Sequence, residues 1–309
     1  MEPQTVIPPK DSLDSSVITQ PLDLLLAALE NKIEREWPSP FASVRGAREL
    51  FLLTLKTAGA TYRSVRWLCA DKPPDPDRRL EYSISVPPLN RTILDNLFTM
   101  IFVMEDLPSR CEWFFKADWS ETRIELKRHE AEYGHLPEWR EWLARLTAYS
   151  DGGIAFAGVS HAEIAEPSSI PRWPNPGRMV NYQVSSKSPL PPTRVFLKYL
   201  NDWFYADLSQ QSHLGGSGLM KRAGGLIKDY RKNPEAEREL RRYKNSQVGE
   251  TIALVLALAS EMEAHLNFGL REKAQYVWGV VTPYIVVAKE LHEKRYASLL
   301  GMSSHPVIL

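Results

Sequence analysis

The sequence predicts an all-α protein, a multi-helix bundle of about eight to ten helices. Apolar residues recur at helical spacing along most of the chain, as in residues 21–37. Two later segments, 89–104 and 248–268, are apolar on nearly every face, which is typical of helices at the centre of a helical core. Residues 81–86 (EYSISV) alternate as a strand does, but this run has no partner strand, so we interpret it as an extended lead-in to the next helix.

We predict a single helical domain, residues 21–309, preceded by a flexible N-terminal arm, residues 1–20, which is polar and contains prolines. The turn signal Asp151-Gly152-Gly153 is predicted to end one helical unit. The proline-rich stretch 166–192 cannot be helical throughout, and we predict an irregular loop that crosses the surface. The domain then continues as helices.

Composition limits the classes of function. The chain is 43% hydrophobic and 25% charged with a formal net charge of zero, so no global charge draws it to nucleic acid or to an anionic membrane. The most apolar runs, 251–260 and 276–288, are too short to span a bilayer. We therefore expect a cytoplasmic protein that does not enter a membrane.

The residues that commonly bind metals form no convincing site. Cys69 and Cys111 lie in unrelated contexts without zinc-binding spacing. Glu261 and His265 are four residues apart, but no third ligand is visible, so we expect a pair within the core. The sequence predicts neither a metal nor a cofactor.

The apolar helix predicted over 89–104 carries two charged residues, Arg91 and Asp95, which are four apart and therefore share a face. A cation near the start of a helix is disfavoured by the helix dipole, and Arg before Asp is the weaker order for a local pair. Because two local preferences are broken, we expect these side chains to have a tertiary partner.

A second set of polar residues lies in the aromatic segment 194–213. Tyr205, Ser209 and His213 are each four apart, so a continuing helix would align them in one stripe. With Arg91 and Asp95 they would form a buried polar cluster. Two interpretations are open: a satisfied hydrogen-bond network in the core, or a site in which His213 is an acid/base, Arg91 binds an anion and Asp95 orients it.

These two motifs, NRTILDNLFTMIF (90–102) and YADLSQQSHLGG (205–216), resemble those of an uncharacterised bacterial all-helical family with Arg-x-x-x-acid and Tyr-x-x-Leu-Ser-x-x-x-His motifs. That family is distantly similar to HEPN helical bundles, many of which are metal-independent ribonucleases in toxin–antitoxin and phage-defence systems. The resemblance implies RNA cleavage by a homodimer, with His213 for proton transfer and Arg91 for the phosphate.

The chain departs from the HEPN signature, in which an Arg shortly precedes the His on one helix. Ser209 and Gln210 stand where that Arg would precede His213. Arg123 and His129 do have the HEPN spacing, but they lie in a highly charged segment that we expect to be solvated.

The stretch 221–244 has more basic than acidic residues, with tyrosines between them. It is either a solvated helix face or a surface that follows a phosphate backbone. The candidate nucleic-acid-binding residues are Arg231, Lys232, Arg238, Arg241 and Arg242.

Two functions are therefore expected. The first is a bacterial helical effector, host-defence or toxin-like, that cleaves RNA through the Arg91 and His213 cluster. The alternative is a non-enzymatic interaction module, in which the irregular loop 166–192 with Trp173 grips a protein partner or small ligand. The expected partners are RNA, a protein or a second copy of the chain.

Overall fold

The computed structural model describes residues 16–70, 79–184, 189–212 and 234–301, and every regular element within these ranges is helical. The prediction of an all-α fold is confirmed. The α-helices are α1 (Ser16–Arg35), α2 (Ala47–Leu68), α3 (Arg79–Ile84), α4 (Val86–Met104), α5 (Leu107–Tyr133), α6 (Arg140–Ala157), α7 (His161–Ala165), α8 (Pro176–Asn181), α9 (Pro192–Tyr199), α10 (Ala206–Ser212), α11 (Pro234–Leu266), α12 (Arg271–Val281), α13 (Val286–Leu291) and α14 (Ala297–Leu299).

Helices α4 and α11 form the centre of the core. They pack along one another, and α2 packs against both. Leu97 and Phe98 of α4 and Leu254 and Leu258 of α11 are fully buried, as expected for helices that are apolar on nearly every face. The 33-residue α11 is the longest helix in the described ranges. None of the helices in these ranges has the length and hydropathy needed to cross a membrane.

The chain enters its first helix earlier than the sequence predicts. Helix α1 begins at Ser16, so residues 16–20, assigned to the flexible arm, are helical, while residues 1–15 lie outside the described ranges. Ile18 is buried in the core, and its apolar contacts offset the one backbone hydrogen bond that Pro21 removes inside the helix.

Two further predictions from local signals are wrong. The expected extended lead-in at 81–86 is helical, because α3 extends to Ile84 and α4 begins at Val86. Alternation over so few residues cannot separate strand from helix, and contacts of α3 with α2 and α11 decide the outcome. The predicted turn at residues 151–153 lies inside α6, so the two glycines do not end this helix.

The described parts of the proline-rich stretch, residues 166–184 and 189–192, are largely irregular, with a 3-10 turn at Pro167–Ser169 and the short helix α8. Its Trp173, which the interaction hypothesis places in contact with a partner, packs against aromatic residues of the chain itself, and the contact with a partner stays a prediction. The ring packs between Trp113 and Phe102, with centroid distances of 5.1 and 5.4 Å, and the Trp113 indole donates a hydrogen bond to Pro171 O at 2.7 Å. These contacts fasten the stretch to α4 and α5.

Two helical rods in the C-terminal half contain π-helical stretches. One, Leu200–Tyr205, joins α9 to α10, and we call this continuous rod the 192–212 helix. The other, His292–Tyr296, joins α13 to α14. A π-helical turn adds a residue to the helical repeat, so it changes the direction in which the following side chains point.

Candidate functional site

The structure brings Arg91 together with Tyr205 and Ser209 of the 192–212 helix. The guanidinium donates from Nη1 to Ser209 Oγ at 3.0 Å and from Nη2 to the Tyr205 hydroxyl at 2.8 Å. Its carbon also lies 4.8 Å from the centre of the Tyr205 ring, within the range of a cation–π contact. Two hydroxyls from another helix thus fix the orientation of Arg91, whose side chain keeps 21% of its surface exposed.

Asp95 completes this group, which we call the Arg91 cluster (Arg91, Asp95, Tyr205 and Ser209). Its Oδ2 is 3.8 Å from Arg91 Nε, near the limit for an ion pair. Burial raises the pKa of Asp95 above its ordinary value, and the neighbouring guanidinium only partly opposes that shift. The cluster is half-buried rather than sealed.

Some of the predicted site residues lie outside the described ranges: His213, Arg231 and Lys232. The role of His213 as an acid/base therefore stays a prediction, as do the roles of the Arg91 cluster. Of the other candidate nucleic-acid ligands, Arg238, Arg241 and Arg242 are all exposed near the start of α11. Their spacing of three and four residues puts them on one face of that helix.

The pair with HEPN spacing is not assembled into one site. Arg123 contacts Asp151 at 3.3 Å. His129 instead packs in an aromatic group at the far end of α5, with ring-centroid distances of 5.8 Å to Tyr133 and 5.2 Å to Trp142. Each side chain has its own structural partner.

Glu261 lies in the core, as predicted, but its neighbour His265 is exposed at the surface, so the two do not form a pair within the core. Glu261 is fully buried and receives two hydrogen bonds from Arg295, with Nη2 to Oε2 at 2.9 Å, while His265 Nε2 lies 3.6 Å from the same carboxylate. These bonds hold the pKa of Glu261 below its ordinary value against the opposing effect of burial. In the described part of the chain no three side chains are grouped as metal ligands would be.

A large cleft lies on the other side of the 192–212 helix. It encloses about 1390 Å³ between that helix, the stretch 242–250 of α11 and the stretch 284–294. Aromatic side chains form much of its wall: Tyr199, Trp203, Phe204, Tyr243 and Tyr284. Both π-helical stretches contribute to its lining, and such turns are frequent at functional sites.

Glu250 is the carboxylate at the inner wall of the cleft. The buried Asn90 of α4 donates from Nδ2 to Glu250 Oε2 and to Gln247 O, both at 3.3 Å, and its Oδ1 accepts a hydrogen bond from Thr251 at 2.6 Å. Burial raises the pKa of Glu250 to about 7, with a further contribution from Asp207 against the opposing effect of Asn90. A carboxylate with this pKa exchanges protons near neutral pH, as functional carboxylates often do.

Helix α10 forms the wall between the Arg91 cluster and the cleft. Ser209, with Tyr205 just before the helix, contacts Arg91, whereas Asp207 and Gln211 line the cleft. Residues two apart on a helix point in different directions, so one short helix serves both sites. Two consecutive residues of α4 likewise contact different sites. Arg91 belongs to the Arg91 cluster, whereas Asn90 donates a hydrogen bond to Glu250 in the wall of the cleft.

The sequence reasoning missed Glu250, Gln247 and Asn90. A signal was present, because Glu250 is a lone carboxylate at the start of the apolar run 251–260, and Asn90 is a polar residue in an apolar helix. Such residues indicate burial with a partner, although the partner itself depends on tertiary packing.

Comparison with known proteins gives no family for this chain: no protein-family model, curated protein or solved structure matches it.

Proposed function

We propose that the protein is a helical effector that cleaves RNA in the cytoplasm, in a host-defence or toxin-like role. The observation that carries the proposal is the orientation of Arg91, which Tyr205 and Ser209 hold by hydrogen bonds while a fifth of its side chain stays exposed. A guanidinium that is fixed before binding loses less conformational entropy when it contacts a phosphate, and its planar fork matches phosphate oxygens.

The proposed reaction needs no metal. The 2′-hydroxyl of the RNA attacks the adjacent phosphorus and the bond to the 5′-oxygen breaks, leaving a 2′,3′-cyclic phosphate and a 5′-hydroxyl. His213 accepts the proton of the 2′-hydroxyl and returns it to the 5′-oxygen. Arg91 stabilises the charge that develops on the phosphoryl oxygens, Asp95 restrains the guanidinium, and Tyr205 and Ser209 position it.

The RNA backbone follows the basic face of the chain in this proposal. Arg238, Arg241 and Arg242 support this path because they are exposed on one face of α11, and Arg242 also lines the cleft. Arg231 and Lys232 extend the same contact in sequence. Removing two of these charges, as in Arg238→Ala/Arg241→Ala, should weaken binding to any RNA sequence and reduce its salt dependence.

The test is cleavage of end-labelled RNA by purified wild-type protein, Arg91→Ala and His213→Ala, without added metal. We expect each substitution to lower the cleavage rate by about 100-fold or more, as removal of a charge-stabilising group does in other enzymes. Arg145→Ala, on an exposed side chain of α6, is the matched control and should keep full activity. Thermal melting separates the interpretations: a variant that is folded but inactive supports catalysis, whereas cleavage that survives Arg91→Ala refutes the proposal.

A second candidate function is the non-enzymatic binding of a small ligand or a protein partner. The cleft favours it, because its aromatic wall continues into an apolar rim in which Trp203 is 71% exposed and Tyr284 and Val286 are also exposed. Saturable quenching of tryptophan fluorescence by a ligand, lost in Trp203→Ala, would support ligand binding. The expected protein partner or homodimer stays a prediction, which sedimentation velocity across protein concentrations can test.

A further inference from the structure

We infer that the cleft binds an organic cation, a ligand that carries a protonated amine on an apolar body, with Glu250 as the carboxylate that receives the ammonium group. This inference rests on the second candidate function, binding of a ligand in the cleft, and it specifies the chemistry of that ligand. It does not depend on the catalytic roles proposed for Arg91 and His213, because α10 separates the cleft from the Arg91 cluster.

The dimensions and walls of the cleft suit an organic molecule. Its volume of about 1390 Å³ leaves room for a small organic ligand, whose pockets typically measure roughly 300–1,000 Å³. Aromatic faces attract cations as well as apolar groups. The cleft already contains an example, because Lys294 Nζ lies 4.5 Å from the centre of the Tyr199 ring.

The inner wall of the cleft offers hydrogen-bond acceptors that match an ammonium group. Glu250 has the Asn90 amide as its donor, and within the described ranges no basic side chain pairs with it. Gln247, one helical turn earlier, also lines the cleft, and its buried Oε1 has no hydrogen-bond partner among the described residues. Because the last torsion of a Gln side chain is broad, the amide can turn its oxygen towards a bound donor. An ammonium supplies up to three N–H donors for these oxygens.

The charges that line the cleft also favour a cation. Asp207 also lines the cleft, and its negative charge contributes to the raised pKa of Glu250 because two nearby negative charges repel. A bound ammonium would relieve this repulsion, whereas an anion would increase it. Among the described residues that line the cleft, acidic side chains outnumber basic ones: Asp207, Glu250, Glu290 and Glu293 against Arg242 and Lys294.

The test compares three probes of nearly equal size by isothermal titration calorimetry at pH 8: phenethylamine, which is a cation, 2-phenylethanol, which is neutral, and phenylacetate, which is an anion. We expect phenethylamine to bind at least about tenfold more tightly than the other two, because only it can form a charge-assisted hydrogen bond with Glu250. Glu250→Gln should remove most of this advantage. Glu141→Gln, which changes an exposed carboxylate of α6, is the matched control.

The pH dependence provides a second readout that a merely structural role for Glu250 would not produce. With a pKa of about 7, the fraction of ionised Glu250 rises about tenfold between pH 6 and pH 8, and phenethylamine affinity should rise with it. At pH 6 the bound complex should release close to one proton, seen as a binding enthalpy that depends on the ionisation enthalpy of the buffer. Both effects should be absent in Glu250→Gln.

The possible outcomes test two claims separately: that the ligand is a cation, and that the cleft binds a ligand. Equal affinity for phenethylamine and 2-phenylethanol would overturn the assignment of a cation while leaving the cleft as a ligand site. No saturable binding of any probe to the wild-type protein would overturn both. Unchanged phenethylamine affinity in Glu250→Gln would overturn the role of this carboxylate.

Discussion

The substitution Glu250→Gln should change how the stability of the protein depends on pH. Burial raises the pKa of Glu250 from 4.5 to about 7, so the folded protein holds this proton more tightly than the unfolded chain does. Its contribution to stability is fully present below pH 4.5 and is lost as the pH rises through 7. The amide of the variant has a similar shape but no proton that titrates in this range. The stability of the variant should therefore not fall in this way as the pH rises.

The magnitude follows from the shift. One pKa unit corresponds to about 1.4 kcal/mol, so a change from 4.5 to about 7 amounts to at most about 3 kcal/mol between the ends of the titration. Solvent in the cleft screens part of this interaction, so about 3 kcal/mol is an upper limit. We expect the free energy of unfolding of the variant, relative to that of the wild type, to rise by about 1–3 kcal/mol between pH 5 and pH 8.5.

The assay is urea unfolding followed by far-ultraviolet circular dichroism at several pH values between 5 and 8.5. The quantity compared is the difference in free energy of unfolding between Glu250→Gln and wild type. Glu141→Gln, on a side chain that is 84% exposed, should give a nearly constant difference over the same range. If the Glu250→Gln difference is equally constant, Glu250 titrates normally and its placement at the closed inner wall of the cleft is wrong.

Two other substitutions test the packing. Glu261→Gln leaves the buried guanidinium of Arg295 without its carboxylate and should lower the free energy of unfolding in urea by about 3–5 kcal/mol. The double variant Glu261→Met/Arg295→Met should lose less stability than Glu261→Gln. A larger loss in the double variant would contradict this account. Gly46→Ala puts a Cβ 2.4 Å from the Phe115 ring at a φ of +72° and should cost about 2 kcal/mol or more in thermal unfolding. Gly152→Ala, which meets no atom within 4 Å inside α6, is its control and should stabilise by about 0.5–1 kcal/mol.

The main helices follow from local patterns. Apolar spacing alone indicates α1, and apolar residues on nearly every face indicate that α4 and α11 occupy the centre of the core. The ends of the helices are predicted less well from the sequence, because buried contacts override local signals. Burial of Ile18 carries α1 past a proline, and α6 continues through the apparent turn at 151–153.

The contacts of Arg91 were also accessible from sequence. An Arg that breaks the local preferences of its helix needs a tertiary partner, and the four-residue spacing of Tyr205 and Ser209 presents two hydroxyls on one face. The hydrogen bonds from Arg91 to both side chains agree with this reasoning. The catalytic role of Arg91, together with Asp95 and His213, stays a prediction.

The sequence by itself determined the all-α class, which two helices are central, and the hydroxyl partners of Arg91, because these depend on periodicity and on charge within an apolar surface. Only the tertiary structure decided that Asn90, Gln247 and Glu250 meet at one wall of an aromatic cleft. The pKa of Glu250 depends on residues from three helices that are distant in sequence. Burial and proximity of that kind arise only when the helices pack, so no local pattern encodes them.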